Sequence, residues 1–231
     1  MKAEFDQFAK NYRGDQTEGH YFLTGENSHY FAQLKAEKLK EWLPAYFKGA
    51  PKTILDFGCG DGLMTHEVKK QFPQSEIHGV DNSPESIKIA KKNYPDIHYH
   101  VSTNNLSVLK KQSYDVVLAT HVFHHIYFNE HEHYIKELMN VLKPGGVFVF
   151  YELNPLNPGT WYIFRNHPME VNATMLKPWY ARKLVANYGK TDFISYAFFP
   201  HFLSFFRPLE KYITKVPFGG LYTIILKKES K

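Results

Sequence analysis

The stretch Ile54-Leu55-Asp56-Phe57-Gly58-Cys59-Gly60-Asp61-Gly62 decides how this chain is read. A short apolar run ends in an acidic residue, glycines follow at alternate positions, and a helical pattern begins after them. Glycine is needed where a side chain would meet a ligand or where the backbone takes a positive φ. The helix start beyond it offers free N–H groups to electronegative ligand atoms. The next strand-like run closes on Gly79-Val80-Asp81-Asn82. Asp81 therefore stands about 20 residues beyond the glycines, where a carboxylate accepts hydrogen bonds from both hydroxyls of a ribose. The glycine spacing is not G-x-G-x-x-G, and Asp56 would repel a diphosphate. The ligand expected is a nucleoside without phosphates that carries a cationic group.

Outward from this stretch, strands alternate with helices. Thr53–Phe57, Glu76–Val80, Ile97–Val101, Asp115–Thr120 and Val147–Tyr151 read as strands. His66–Phe72, Pro84–Tyr94 (opened by Ser83 and Pro84) and His131–Leu142 read as helices, the last closed by Lys143-Pro144-Gly145-Gly146. This alternation predicts an α/β fold with a mainly parallel sheet covered on both faces. Upstream, Phe5, Phe8, Ala9 and Tyr12 share one helical face. A second helix is expected over Ser28–Phe47, with Pro44 near its end. Downstream, Asn154–Gly159 must be a loop. Pro178–Asn187 reads as a helix capped by Gly189, and Asp192–Phe199 and Leu221–Leu226 as strands. Between those strands lies His201–Gly220, rich in aromatics, of a length that suits a lid. The run Phe198, Phe199, Phe202, Phe205, Phe206 is expected to form a satellite core beneath it, with a lipid-facing wedge as the alternative.

The wording LDFGCGDG, then GVDNS, then YDVVLATHVFHHI, then LKPGGVFVF resembles the class I S-adenosylmethionine-dependent methyltransferases. The ordered motifs cover roughly residues 30 to 152. The resemblance implies a Rossmann-like, doubly wound sheet of seven strands with the last antiparallel, and S-adenosyl-L-methionine as cofactor. It implies that Asp56, Gly58, Cys59 and Gly60 hold the amino-acid end of the cofactor, that Asp81 holds its ribose, and that Asn82 flanks its adenine. The acidic residue often found after strand three is missing, so Thr103 and Asn104 or the backbone replace it. Thr120 and His121 match the positions lining the methionine part, and Tyr30 is expected near the entrance with Tyr21 and Phe31. The run from Tyr151 to Thr160, with its Asn-Pro repeat, and the later Phe198-Phe199-Pro200 resemble a bacterial subgroup whose members suggest saccharide or lipid-linked substrates. Leu153 stands there in place of a histidine.

Acceptor chemistry is assigned to His124, His125 and Glu152. An imidazole takes up a hydroxyl proton near neutral pH, and a carboxylate at the end of strand five would face the same crevice. His121, His124, His125, His131 and His133 lie close in sequence, and imidazole ligands would suit zinc or iron over magnesium. No metal is assigned, because paired histidines here serve equally as pocket lining. Trp161, Tyr162, Arg165 and His167 are candidates to read the acceptor, Arg165 for an anionic group.

Composition narrows the classes. Only four of the 28 basic residues are arginines, and no basic stripe is interleaved with aromatics, so no nucleic-acid partner is expected. Thr120-His121-Val122-Phe123 replaces the Pro-Pro-Tyr box of exocyclic-amine methyltransferases. A net charge of +5 leaves contact with an anionic membrane surface open. One cysteine, a charged start and no apolar run of about 20 residues point to a cytoplasmic protein. The expected organisation is one methyltransferase domain: a helical cap (1–50), a cofactor core (51–152) and an acceptor-side part (153–231). The leading function is O-methylation of a small molecule such as a saccharide or a lipid-linked metabolite. N- or C-methylation, a macromolecular acceptor, and a cofactor-binding protein without turnover stay open, as does the oligomeric state.

Overall fold

The computed structural model describes residues 24–102, 105–167 and 170–230. The strands are β1 (Thr53–Phe57), β2 (Glu76–Asp81), β3 (His98–Val101), β4 (Tyr114–Thr120), β5 (Leu142–Leu153), β6 (Gly189–Tyr196) and β7 (Leu221–Lys228). They form one sheet in the order β3-β2-β1-β4-β5-β7-β6. All pairings are parallel except those of β7, which runs antiparallel to β5 and to β6. The chain order reverses between β1 and β4, and the crevice beyond the carboxyl ends of strands at such a point is where α/β sheets bind ligands.

The helices are α1 (Ser28–Trp42), α2 (Leu63–Gln71), α3 (Pro84–Asn93), α4 (His131–Val141), α5 (Pro158–Asn166) and α6 (Pro178–Val185). Strand side chains alternate between two cores, as a period of two requires. Ile54, Val116, Leu118, Val147 and Val149 pack with Ala36 and Leu39 of α1, Val68 of α2 and Ile87 of α3. Leu55, Val117, Ala119, Phe148 and Phe150 pack on the other face with Ile135 and Leu138 of α4 and Ala181 and Val185 of α6. Burial on both faces is why the central strands read as continuous apolar runs. Among the described residues, no helix is long and apolar enough to cross a membrane.

Several boundaries differ from the sequence reading. The first described helix stops at Trp42, not Phe47, because Pro44 cannot continue its ladder and a 3-10 turn, Leu43–Ala45, follows. α2 begins at Leu63, not His66, because Gly62 turns into it at φ +86°. The α-helix α6 ends at Val185, a 3-10 turn over Ala186–Tyr188 continues it, and Gly189 closes that turn and opens β6. β6 ends at Tyr196, not Phe199: Ala197 adopts φ +58°, and the Glu210 carboxylate accepts the N–H groups of Ala197, Phe198 and Phe199 at 3.1, 2.9 and 3.1 Å. Those amides therefore leave the sheet. The aromatic run is no satellite core: Phe202 and Phe205 are 74% and 69% exposed on the 3-10 segment His201–Tyr212. The expected helix over Phe5–Tyr12, and Tyr21, lie outside the described residues.

Candidate active site

Two cavities lie at the carboxyl ends of β1, β2 and β4, one of about 320 Å³ and one of about 160 Å³. Gly58, Gly60, Thr120, His121 and His125 line both, so the two meet at the β1 loop and the end of β4. The loop can pass between them because of its glycines. Gly58 has φ +72°, and a Cβ there would lie 2.2 Å from Val122 Cγ2. Gly60 has φ +53°, with nothing within 4 Å of where its Cβ would point.

The smaller cavity carries Asp81, Asn82, Ser86 and Ser102. Asp81 is fixed by accepting the N–H of Gly60 at 2.9 Å and of Ser83 at 2.8 Å. These bonds hold the carboxylate at the wall of the smaller cavity. Thr103 and Asn104, expected beside an adenine, lie outside the described residues.

The larger cavity begins at Asp56, which is buried and accepts the Thr65 hydroxyl at 2.7 Å through one oxygen. The other oxygen, Oδ1, is buried without a hydrogen-bond partner among the described residues. Burial pushes the Asp56 carboxyl up to about 7, against the Thr65 bond and the Lys35 charge, which favour ionisation. Lys35 of α1 lines the same wall and is brought down to about 8 by burial, with Glu152 and Asp56 opposing. Cys59 is buried and its thiol is raised by burial and by the nearby carboxylates, which leaves it unreactive. Tyr30 lines the outer part, with the Arg207 guanidinium 4.9 Å from its ring centroid. Arg207 also bonds Glu26 at 2.8 Å and the Phe199 carbonyl at 3.2 Å, so it ties the segment before α1 to the 3-10 segment.

At the far end, His124 and His125 sit on a 3-10 turn directly after β4. His121, just before it, adopts φ +55°, an uncommon conformation for a residue with a side chain. Glu152 is fully buried behind His124, its Oε2 2.5 Å from Nδ1, and does not line the cavity as expected. Glu170 lies in front, its Oε2 3.4 Å from His124 Nε2 and 3.6 Å from His125 Nε2. Burial alone would lower the His124 imidazolium, but the charges of Glu152 and Glu170 and the Glu152 bond outweigh it and raise it to about 9. Burial and the neighbouring His124 and His167 hold His125 down, to about 2. Glu170 is raised by burial, with His124 and His167 opposing.

The structure places His124 against Glu152, but with Glu152 behind the ring and not in the crevice as expected, and Glu26, Lys35, Glu170 and Arg207 were not anticipated from the sequence. Each of these reaches the cavity from an element with no motif of its own. Of the four acceptor-reading candidates, only His167 lines the cavity; Trp161 and Tyr162 are about half exposed, and Arg165 stacks 4.8 Å over Trp161.

Comparison with known proteins agrees with this geometry. Residues 55–150 match the family model described as a methyltransferase domain. A malonyl-[acyl-carrier protein] O-methyltransferase of Halalkalibacterium halodurans is 33% identical over 141 residues, 58% of this chain and 48% of that protein. The chain spans less than half the length of the first curated relatives it matches. The crystal structure of a SAM-dependent methyltransferase from Archaeoglobus fulgidus superposes with a TM-score of 0.66 at 19% identity, over 85% of this chain and 94% of that one. The plantazolicin methyltransferase BpumL in complex with SAH gives 0.63 at 18%, over 97% and 99%.

Proposed function

We propose that this chain, which belongs to the class I S-adenosylmethionine-dependent methyltransferases, transfers the methyl group to a hydroxyl of a small-molecule acceptor. The observation that carries the proposal is the meeting of the two cavities at Gly58, Gly60, Thr120, His121 and His125. That junction puts a nucleoside-sized recess on one side and a buried histidine–carboxylate group on the other.

The described residues suit the cofactor. Asp81 would hold the ribose and Asn82 would flank the adenine. The unpartnered Oδ1 of Asp56 would take the amino group, and Lys35 would balance the carboxylate. The Gly58–Gly60 loop would let the cofactor pack close against its backbone, whose N–H groups at Gly58, Cys59 and Gly60 are held by Val80 and Asp81. When bound, the cofactor supplies a sulfonium methyl with an excellent leaving group. The chain's own work is then to align an acceptor oxygen with that methyl and to exclude water, which supplies most of the barrier reduction. His124 and His125 line the acceptor end, where the charged His124 would favour the ionised form of the acceptor hydroxyl and the neutral His125 would take its hydrogen bond; Glu152 positions His124 from behind. Proton removal of this kind is worth roughly 10²–10⁴ in rate. Residues 153–177 and 200–220 would form the acceptor side, and Tyr30 with Arg207 its outer wall. On this reading the cap, the core and the acceptor side work as one unit.

An oxygen acceptor is supported by the buried histidine–carboxylate group and by the O-methyltransferase among the relatives. Saccharide and lipid-linked hydroxyls come first, because the cavity combines polar groups with Phe198 and Phe199 at its outer part. The test is release of S-adenosylhomocysteine from S-adenosylmethionine across a panel of sugars, lipid-linked sugars, phenols, carboxylic acids and amines. Release with hydroxyl compounds supports the reading. Release confined to amines or carbon nucleophiles overturns it.

A further inference from the structure

We propose that His124, His125 and Glu170 form a binding site for a divalent transition-metal ion of the zinc or iron(II) type. The inference rests on the acceptor-side reading above and specifies how that end of the cavity handles an oxygen ligand. It departs from the sequence expectation, which assigns no ion, because Glu170 comes from beyond α5 and no local spacing announces it.

His124 Nε2, His125 Nε2 and Glu170 Oε2 all lie within 4.8 Å of one another. Two of the separations are 3.4 and 3.6 Å, both to Glu170 Oε2. An ion with bonds of about 2.0–2.2 Å in tetrahedral geometry sets its ligand atoms roughly 3.3–3.6 Å apart. The set therefore closes on an ion with small side-chain movements. His124 Nε2 and Glu170 Oε2 are buried and have no hydrogen-bond partner among the described residues. The two face each other as an ion pair at 3.4 Å without a hydrogen bond, and an ion between them would satisfy both.

The support behind these atoms is also of the kind that metal sites use. Glu152 Oε2 binds His124 Nδ1, which fixes the ring and leaves Nε2 as the coordinating nitrogen. The turn carrying Glu170 is pinned to the histidine turn, since Thr174 N–H donates to the His124 carbonyl at 2.8 Å and Ala173 N–H to the Glu170 carbonyl at 3.0 Å. Two imidazoles and one carboxylate, with no thiolate, favour zinc or iron(II) over magnesium or calcium. All three residues line the larger cavity, so a fourth position opens toward the acceptor. Three protein ligands with one open position is the arrangement of catalytic rather than structural zinc.

The test uses the untagged full chain, stripped with a chelator and titrated with cobalt(II) as a spectroscopic stand-in. S-adenosylhomocysteine binding is measured in parallel. The expected result is one equivalent of cobalt(II) with visible ligand-field absorption, displaced by zinc. Glu170→Gln abolishes the absorption, and Glu152→Gln weakens cobalt about 10–100-fold, the usual effect of losing an outer hydrogen bond to a ligating histidine. Both variants keep S-adenosylhomocysteine affinity, which shows that they fold. Wild-type protein that binds S-adenosylhomocysteine yet shows no cobalt absorption and no zinc uptake overturns the metal site and leaves the methyltransferase reading standing. Absorption that survives Glu170→Gln overturns it as well, because the ion then sits elsewhere.

Discussion

At the Gly58–Asp81 end of the site the cavity is walled by a glycine loop and a carboxylate fixed by strand ends, whereas at the Glu170 end it is walled by side chains from separate elements. Asp81 is held by amides two and twenty-one positions away in sequence, and the loop it supports follows β1 directly. His124, Glu152 and Glu170 come from after β4, the end of β5 and beyond α5. The first arrangement is built on the ends of β1 and β2 themselves. The second exists only while several distant segments pack together, so it is free to change from one relative to another.

The comparison breaks most readily at Asp81. Replacing it with alanine should weaken S-adenosylmethionine and S-adenosylhomocysteine at least about 100-fold, the loss of two hydrogen bonds to a charged group. Circular dichroism should stay unchanged, since the flanking sheet pairs remain. Next comes Gly58→Ala, which forces a side chain to a positive φ and against Val122. Denaturant unfolding should show a loss of about 2–4 kcal/mol. The acceptor side is probed by Glu210→Ala, which strips the acceptor from three amides. A cost of about 2–3 kcal/mol is expected, with faster proteolytic cleavage within 197–220 while the sheet stays protected.

A subtler change sharpens the cofactor end. Burial raises Asp56 to about 7, so acidification below that value protonates it and, on the proposed placement, removes the partner of the cofactor's amino group. Lys35, lowered to about 8, loses its charge as pH rises past that value. Cofactor affinity measured by calorimetry should therefore peak between about 7 and 8 and fall on both sides, about tenfold per pH unit at most. The smallest effect belongs to Phe205→Ser, at an exposed position, which should move stability by no more than about 0.5 kcal/mol.

What could be read from the sequence follows the same division. That Asp56, Gly58, Gly60 and Asp81 would stand together at the strand ends was legible because a glycine turn after β1 and the end of β2 lie at fixed spacings along the chain. The seven-stranded, mainly parallel sheet and the antiparallel β7 were legible from the resemblance in four ordered motifs. The end of β6 was not, because it is set by Glu210 capturing amides from beyond the strand. Phe202 and Phe205 were misread as buried because aromatic content alone does not say which face a short helical segment turns outward. Glu170, Lys35 and Arg207 carry no local signal; folding over long sequence separations brings them to the cavity.

The central claim is that the loop after β1 and Asp81 form an S-adenosylmethionine site on which acceptor chemistry is built. Calorimetric titration of the purified chain with S-adenosylmethionine and S-adenosylhomocysteine tests it most directly. The account predicts saturable one-to-one binding of both, lost in the folded Asp81→Ala protein. No binding at millimolar ligand, or binding that survives Asp81→Ala undiminished, would contradict it.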